Sequence, residues 1–430
     1  MKLVEFVPPT PHPLWELCPQ MGITDVIVKV NPELTGLNDP WRYETLAAIV
    51  GRLKSAGLTV VGLEGDPFDM TPIKEFGERI PRAKRVAEGD ALAGVGMGNG
   101  ERGTGNGERG MGNGERGTGN GERGTGNGER DEALAHYREL LESMGRLGIK
   151  LLCYNFMVGK GWSRTGVREG RGGAKATYFS LKETEKERTS DIGRQTSSTE
   201  VRSPKSEVLI LNHEQVWANY EYFIKAVMPT AEKMGIRMGL HPDDPCLPSL
   251  GGYARIFGSI EAYDRAYAIY PSPSNAVTFC QANFKLMLGN GERGTGNGEM
   301  LANAARHFGK RIAFIHIRDV EGDKTDFTEL FHDQGDVDQF ALMRTYREIG
   351  LDVPVRGDHV PEMAYDRILT PEGTPGYFTL GRLFANGYLK ALLAGCTYEG
   401  KKGGDATCPG LANFGGKEYN ISHLVRTDKL

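Results

Sequence analysis

Long apolar runs are missing from this sequence. Nothing in it approaches ~18 consecutive apolar residues, so no membrane-spanning helix is expected. The opening nine residues, MKLVEFVPP, lack an extended apolar stretch followed by a small-residue cleavage site, so a secretory leader is not expected either. Cysteine is sparse, six in 430 residues, and no two stand in a CxxC pair. That excludes a disulfide scaffold and suits reduced thiols in a cytoplasmic protein. Neither charge sign dominates: the formal net charge is −4, so no general attraction to nucleic acid or to an anionic membrane is expected. A glycine-rich phosphate turn after the first apolar strand is also absent, which argues against a dinucleotide-binding open sheet.

Apolar material is sufficient for a large core, at 39% of the residues, with 25% charged. Glycine is in excess, at 59 residues, and the cause is local. Residues 98–130 are a tandem heptapeptide, GNGERGT, with Met replacing Thr once, and the unit returns at 289–299. It offers no apolar face to bury, so both copies are expected to be disordered insertions in surface loops, where added length costs little closure entropy. Residues 164–206, rich in Gly, Ser, Thr and charge, are expected to be a long flexible loop.

With these segments set aside, strand and helix alternate through residues 1–430 as one domain. Strands are expected at 3–7, 25–30, 59–63 and 149–156, then at four further segments ending at His241, Cys280, His316 and Asp358. Helical periodicity marks 43–56, 131–147, 213–234, 259–269, 300–308, 336–349 and 379–393, with Asn212 a cap and Gly235 a stop for the long 213–234 helix. Eight strand–helix units in strict alternation imply a closed (β/α)8 barrel, the TIM barrel, with low-complexity loop insertions.

In such a barrel the strand C-termini converge on one mouth. His241, Cys280, His316 and Asp358 would then meet. Imidazole, thiolate and carboxylate suit a borderline divalent ion (Mn²⁺, Zn²⁺, Fe²⁺ or Co²⁺) and not Ca²⁺. Taken singly, a strand-end histidine is more often a packing residue and a strand cysteine is usually core. The recurrence at equivalent positions of consecutive strands is what favours a metal centre. His359, next to Asp358, is placed to handle protons near neutral pH, and Tyr377, before the last helix, is a candidate proton donor. Arg318, two residues beyond His316, is a candidate clamp for a substrate carboxylate. Glu64 and Asp66 are weaker candidates, and Asp243 and Asp244 read as a helix cap before Pro245.

Several segments resemble mannonate dehydratase, the metal-dependent barrel family of hexuronate breakdown that is distinct from the enolase-type enzymes. They are LCYNFM at 152–157, HPDDP at 241–245, TFC at 278–280, FIHIR at 314–318, FHD at 331–333 with GDVD at 335–338, Asp358-His359, and PGY at 375–377 with Gly381-Arg382. The resemblance implies a xylose-isomerase-like barrel that converts D-mannonate to 2-keto-3-deoxy-D-gluconate and water with one Mn²⁺ or Fe²⁺ per subunit. It implies metal ligands at His241, Cys280, His316 and Asp358 and proton-transfer residues at His359 and Tyr377. Asn155, in LCYNFM, and Arg356, two residues before Asp358, join Arg318 as expected substrate contacts. The partner is then a small sugar acid, with neither nucleic acid nor membrane involved, and the barrel is expected to form a homo-oligomer. The sequence also departs from the pattern. The family's Arg-Pro-Asp-His is Arg356-Gly357-Asp358-His359 here, which is expected to loosen the backbone beside a ligand, and the segment after Trp162 is shorter and of low complexity. A sugar isomerase or epimerase on the same barrel, or a dehydratase of another aldonate, is the nearest alternative. A non-catalytic barrel that binds a sugar acid is the other.

Overall fold

A computed structural model describes residues 1–77, 125–159, 161–186, 210–289 and 297–399. Its centre is a sheet of nine hydrogen-bonded segments, all paired in parallel. The segments β1 (Lys2–Leu3) and β2 (Glu5–Val7) are two halves of one stretch interrupted at Val4. Next come β3 (Asp25–Val28), β4 (Thr59–Glu64) and β5 (Leu151–Tyr154). Outside the barrel lie β6 (Gly166–Glu169) and β7 (Lys175–Ser180), followed by barrel strand β8 (Arg237–Leu240) and the small hairpin β9 (Ser249–Leu250) and β10 (Tyr253–Ala254). The barrel continues with β11 (Asn275–Cys280) and β12 (Ile312–Ile317), leaves for β13 (Val320–Asp323) and β14 (Asp326–Glu329), and ends with β15 (Pro354–Gly357). β1 pairs with β15 and β2 with β3, so the opening stretch closes the ring between the last strand and the second. The (β/α)8 barrel expected from the alternation is the fold.

The strands are apolar on both faces because each face is covered. Inside, Val4, Ile27, Leu151, Cys153, Ala276, Ala313 and Phe314 pack in the lumen. Outside, a continuous core joins the strands to the helices through residues such as Leu46, Leu140, Phe223, Ile224 and Met343. The helix His213–Met234 starts and stops where its sequence says. The Asn212 side chain accepts from Gln215 N, the Gln215 side chain accepts from Asn212 N, and Gly235 takes the left-handed conformation, at φ +63°. Such a reciprocal cap is worth about 1 kcal/mol.

The segment expected to be a flexible loop, 164–206, is built structure over its described part. β6 and β7 form an antiparallel hairpin, and β7 pairs with β14 through Phe179↔Phe327 and Tyr178↔Thr328, making a four-stranded sheet ordered β13-β14-β7-β6. Two loops at the barrel mouth thus combine. Phe179 and Phe327, both fully buried, anchor them on Leu247, Leu250 and Leu286. The polar composition hid this because half of the positions β7 buries are polar, Thr177 and Ser180 beside Ala176 and Phe179. Residues 187–206 of that expectation lie outside the described residues. So do 98–124 and 290–296 of the repeats, while the ends of both copies are helical: the helices Thr125–Arg146 and Asn297–Phe308 begin inside the last repeat units.

Candidate metal and proton-transfer site

Each ligand-type residue reaches the mouth because a strand ends there. His241 follows β8, Cys280 is the last residue of β11, His316 is the penultimate residue of β12, and Asp358 follows β15. One ligand atom from each lies within 4.8 Å of the others. His241 Nδ1 donates to Pro242 O at 2.8 Å. A carbonyl can only accept, so Nε2 of that ring is left as the free lone pair. Both ring nitrogens of His316 are buried without a hydrogen-bond partner. Buried imidazole nitrogens are normally satisfied, and a cation in the cluster would satisfy this one. Burial opposes ionisation of the Cys280 thiol, but the Arg318 guanidinium, His241 and His316 outweigh it and bring the thiol down to about 6. Burial likewise opposes charge on Asp358, and Arg356 and His359 hold it ionised, well below the usual carboxylate range. The donor set and its electrostatics fit a divalent ion.

A second ligand-type group, Glu64, Cys153 and His316, shares one histidine with the first. It fits an ion less well. Burial and the neighbouring Glu64 push the Cys153 thiol up. Glu64 is committed to Arg356, which donates to it from Nε at 3.1 Å and Nη2 at 2.5 Å.

Above the ligands stand His359 and Tyr377. His359 Nε2 and Tyr377 Oη are 2.9 Å apart, and Tyr377 Oη lies 3.4 Å from Asp358 Oδ1. Both residues line a cavity of about 880 Å³ together with His241, Asp358, Asn155 and Trp162, a size in the range of small-molecule sites. On its other side, His359 Nδ1 meets Glu329 Oε1 at 3.1 Å. Burial opposes ionisation of Glu329, but Arg318, Arg164 and His359 lower it to about 2. Arg164 Nη2 also approaches Nδ1, at 3.3 Å, but the carboxylate contact is shorter and an ionised carboxylate only accepts, which favours a hydrogen on Nδ1 and leaves Nε2 to face Tyr377 and the cavity.

The structure puts the two arginines elsewhere than the substrate contacts expected of them. Arg318 is fully buried and does not line the cavity. It donates to Glu329 at 2.7 Å, to Asp244 at 2.9 Å and to Asn283 at 2.8 Å. Arg356 lies between Glu64 and Asp358, its Nη2 2.9 Å from Asp358 Oδ1, and so steadies a ligand. Asn155 does line the cavity, and its Oδ1 accepts from Lys74 Nζ and Met157 N, each at 3.1 Å. Gly357 does not loosen its strand. A Cβ there would fall 3.1 Å from His332 Nε2, so the glycine makes room for His332, which donates to Ile317 O at 2.8 Å.

The sequence reading missed Arg164 and Glu329 and misread Asp244. Arg164 grips Asp244 with two donors, at 2.7 and 3.0 Å, and bonds Glu329 at 2.5 Å. Asp244 is therefore a buried counter-ion and not a helix cap. Glu329 arrives from β14, outside the barrel. The only sequence cue was HPDDP, whose second Asp stands beside a candidate ligand.

The fold and the site together define a parallel-barrel enzyme with a cluster of His, Cys and Asp at its mouth that could hold a metal ion, and a hydrogen-bonded His–Tyr pair beside it. The chain belongs to the D-mannonate dehydratase (UxuA) family, a family of hydro-lyases, whose sequence profile matches residues 120–402. Mannonate dehydratase 2 of Halalkalibacterium halodurans is 30% identical over 279 residues, covering 61% of this chain and 75% of that protein. The mannonate dehydratase of Streptococcus agalactiae serotype Ia is 28% identical over 277 residues, with the same shares covered. The crystal structure of mannonate dehydratase from Streptococcus suis serotype 2 aligns over 94% of this chain and 97% of its own, with TM-score 0.64 and 23% identity, a likeness of fold. Among the described residues no helix is long and apolar enough to cross a membrane, and none of the five described cysteines, all buried, is in a disulfide.

Proposed function

We propose that this chain dehydrates D-mannonate to 2-keto-3-deoxy-D-gluconate and water, using one Mn²⁺ or Fe²⁺ held by His241, Cys280, His316 and Asp358. The observation that carries the reading is the hydrogen-bonded pair His359–Tyr377 beside Asp358 on the cavity wall. A divalent ion bound there supplies Lewis-acid stabilisation of the charge that develops when C2 is deprotonated.

The residues of the chain do the rest. His359 Nε2 takes the C2 proton, and Glu329 holds the imidazolium that forms. The C–H electron pair becomes the C2–C3 double bond as the C3–O bond breaks. Burial and the nearby Asp358 push the Tyr377 phenol well above its ordinary value, so it is protonated and can donate to the departing hydroxyl, which leaves as water. The phenolate then recovers its proton from His359 across the 2.9 Å contact, which resets both groups. The enol ketonises to the 2-keto-3-deoxy acid. Trp162, its ring centroid 5.1 Å from that of His359, closes one side of the base.

The test uses metal-free protein reloaded with Mn²⁺ or Fe²⁺, given D-mannonate and assayed for the 2-keto-3-deoxy acid. Ion-dependent product that disappears in Cys280→Ala is the expected result. Retained metal with no product from D-mannonate would move the function to another sugar acid or to isomerisation. Sedimentation of the same sample tests the expected homo-oligomer.

A further inference from the structure

We propose that Lys29 is the cation that recognises the substrate's carboxylate, a role left open when Arg318 and Arg356 are found committed to internal acids. The inference deepens the function proposed above and rests on it for the identity of the acid. It follows from the pairing of charges around the cavity. Two arginines, Arg164 and Arg318, face two buried carboxylates, Asp244 and Glu329. Arg356 is answered by Glu64, Arg382 by Glu5, and Lys74 by Asp66. Cys280 and Asp358 belong to the candidate metal cluster. Each of these groups closes on itself, and none leaves a positive charge for an anionic substrate.

Lys29 is the exception. It stands just past the end of β3 and lines the cavity, yet among the described residues it has neither a hydrogen bond nor an ion pair. Its stem crosses Gly65. A Cβ on that residue, which has φ +88°, would lie 3.3 Å from Lys29 Cε and 3.4 Å from Cδ. The missing side chain lets the lysine stem lie across Gly65, the residue that follows Glu64 at the end of β4. The remaining acid of the lining, Glu372, is exposed at the rim, where solvent and salt screen it. An ammonium without a partner among the described residues, lining a cavity whose nearby arginines and Lys74 are paired with internal acids, makes the site selective for a monoanion over the neutral polyol of the same length.

The test compares binding of D-mannonate, a panel of other aldonates and the corresponding alditols to metal-loaded protein. It is run by calorimetry in the parent and in Lys29→Gln and Lys29→Arg, with metal content measured in each. Loss of one charge-assisted contact corresponds to a drop of about ten- to a hundred-fold in affinity. The expected result is that Lys29→Gln loses this factor for the acid, keeps its affinity for the alditol and keeps its metal, while Lys29→Arg recovers most of the preference. In turnover the loss falls on KM more than on kcat. If Lys29→Gln still prefers the acid as strongly as the parent, the assignment is overturned. A parent that prefers a different aldonate, with that preference lost in Lys29→Gln, would support Lys29 and overturn D-mannonate as substrate. A parent with no preference for acids over alditols would overturn both.

Discussion

Glu329 Oε1 and His359 Nδ1 are 3.1 Å apart, and the carboxylate has come from β14, outside the barrel, to meet a histidine at the barrel's mouth. The contact decides which imidazole nitrogen is basic. Glu329→Gln replaces an acceptor with an amide that can donate to Nδ1 and stabilise the wrong tautomer. The expected outcome is a fall in kcat of about 10²–10⁴-fold, with KM and metal content little changed and the pH–rate profile displaced. An unaltered pH profile with near-normal kcat would remove Glu329 from the reaction.

Tyr377→Phe keeps the ring and deletes the proton donor. The ring centroid of Tyr377 lies 5.0 Å from that of His359 and 5.9 Å from that of Phe6, so packing is retained. Turnover should drop about 10²–10⁴-fold while D-mannonate still binds. Near-normal turnover would hand the acid role to another group.

Cys280→Ala removes one of the four ligand atoms and leaves Arg318 beside a gap. Metal content, measured by elemental analysis after dialysis, should fall to a small fraction of one ion per chain, and Cys280→Ser should retain more than the alanine variant. A Cys280→Ala protein with a full complement of metal would point to the Glu64–Cys153–His316 group instead.

Acid should strip stability from the metal-free protein through the buried arginine–carboxylate network. Glu329 has its value lowered from 4.5 to about 2 in the folded chain, so it binds fewer protons folded than unfolded between those values. Its contribution is complete above about pH 4.5 and is lost as pH falls through about 2. Denaturation midpoints measured across this window should fall more steeply in the parent than in Glu329→Gln. Equal slopes would show that other groups carry the acid sensitivity.

Gly357→Ala introduces a methyl 3.1 Å from His332 Nε2 and 3.3 Å from Ala385 Cβ. Overpacking of this kind costs about 1–3 kcal/mol. Denaturant melts should show that loss, and it should shrink in a His332→Ala background. A neutral Gly357→Ala would mean that His332 moves freely.

The barrel was legible because its signals are local. Alternating apolar strands and helices, the Asn212 and Gly235 caps, and a ligand-type residue at each of four strand ends can all be read a few residues at a time, and parallel βα units bring strand ends to one mouth without further information. His241, Cys280, His316, Asp358, His359 and Tyr377 were singled out this way or through their segments' resemblance to a family, and the fold brings them together. The four-stranded sheet outside the barrel was not legible, because β7 buries polar residues beside apolar ones and pairs with β14 across more than a hundred residues.

By itself, then, the sequence determined the barrel and which ligand-type and proton-handling residues its strand ends would bring to one mouth, since strand order and strand-end chemistry are written along the chain. Only the tertiary structure decided how the charges pair. Arg164 reaches Glu329 across 165 positions, and Arg356 reaches Glu64 across 292. The partner of a buried charge is set by distance in space and by exclusion of water, and neither is encoded in spacing. For that reason Arg318 and Arg356 read as substrate clamps along the chain and are counter-ions in the fold, while Lys29, unremarkable along the chain, is the charge left facing the cavity.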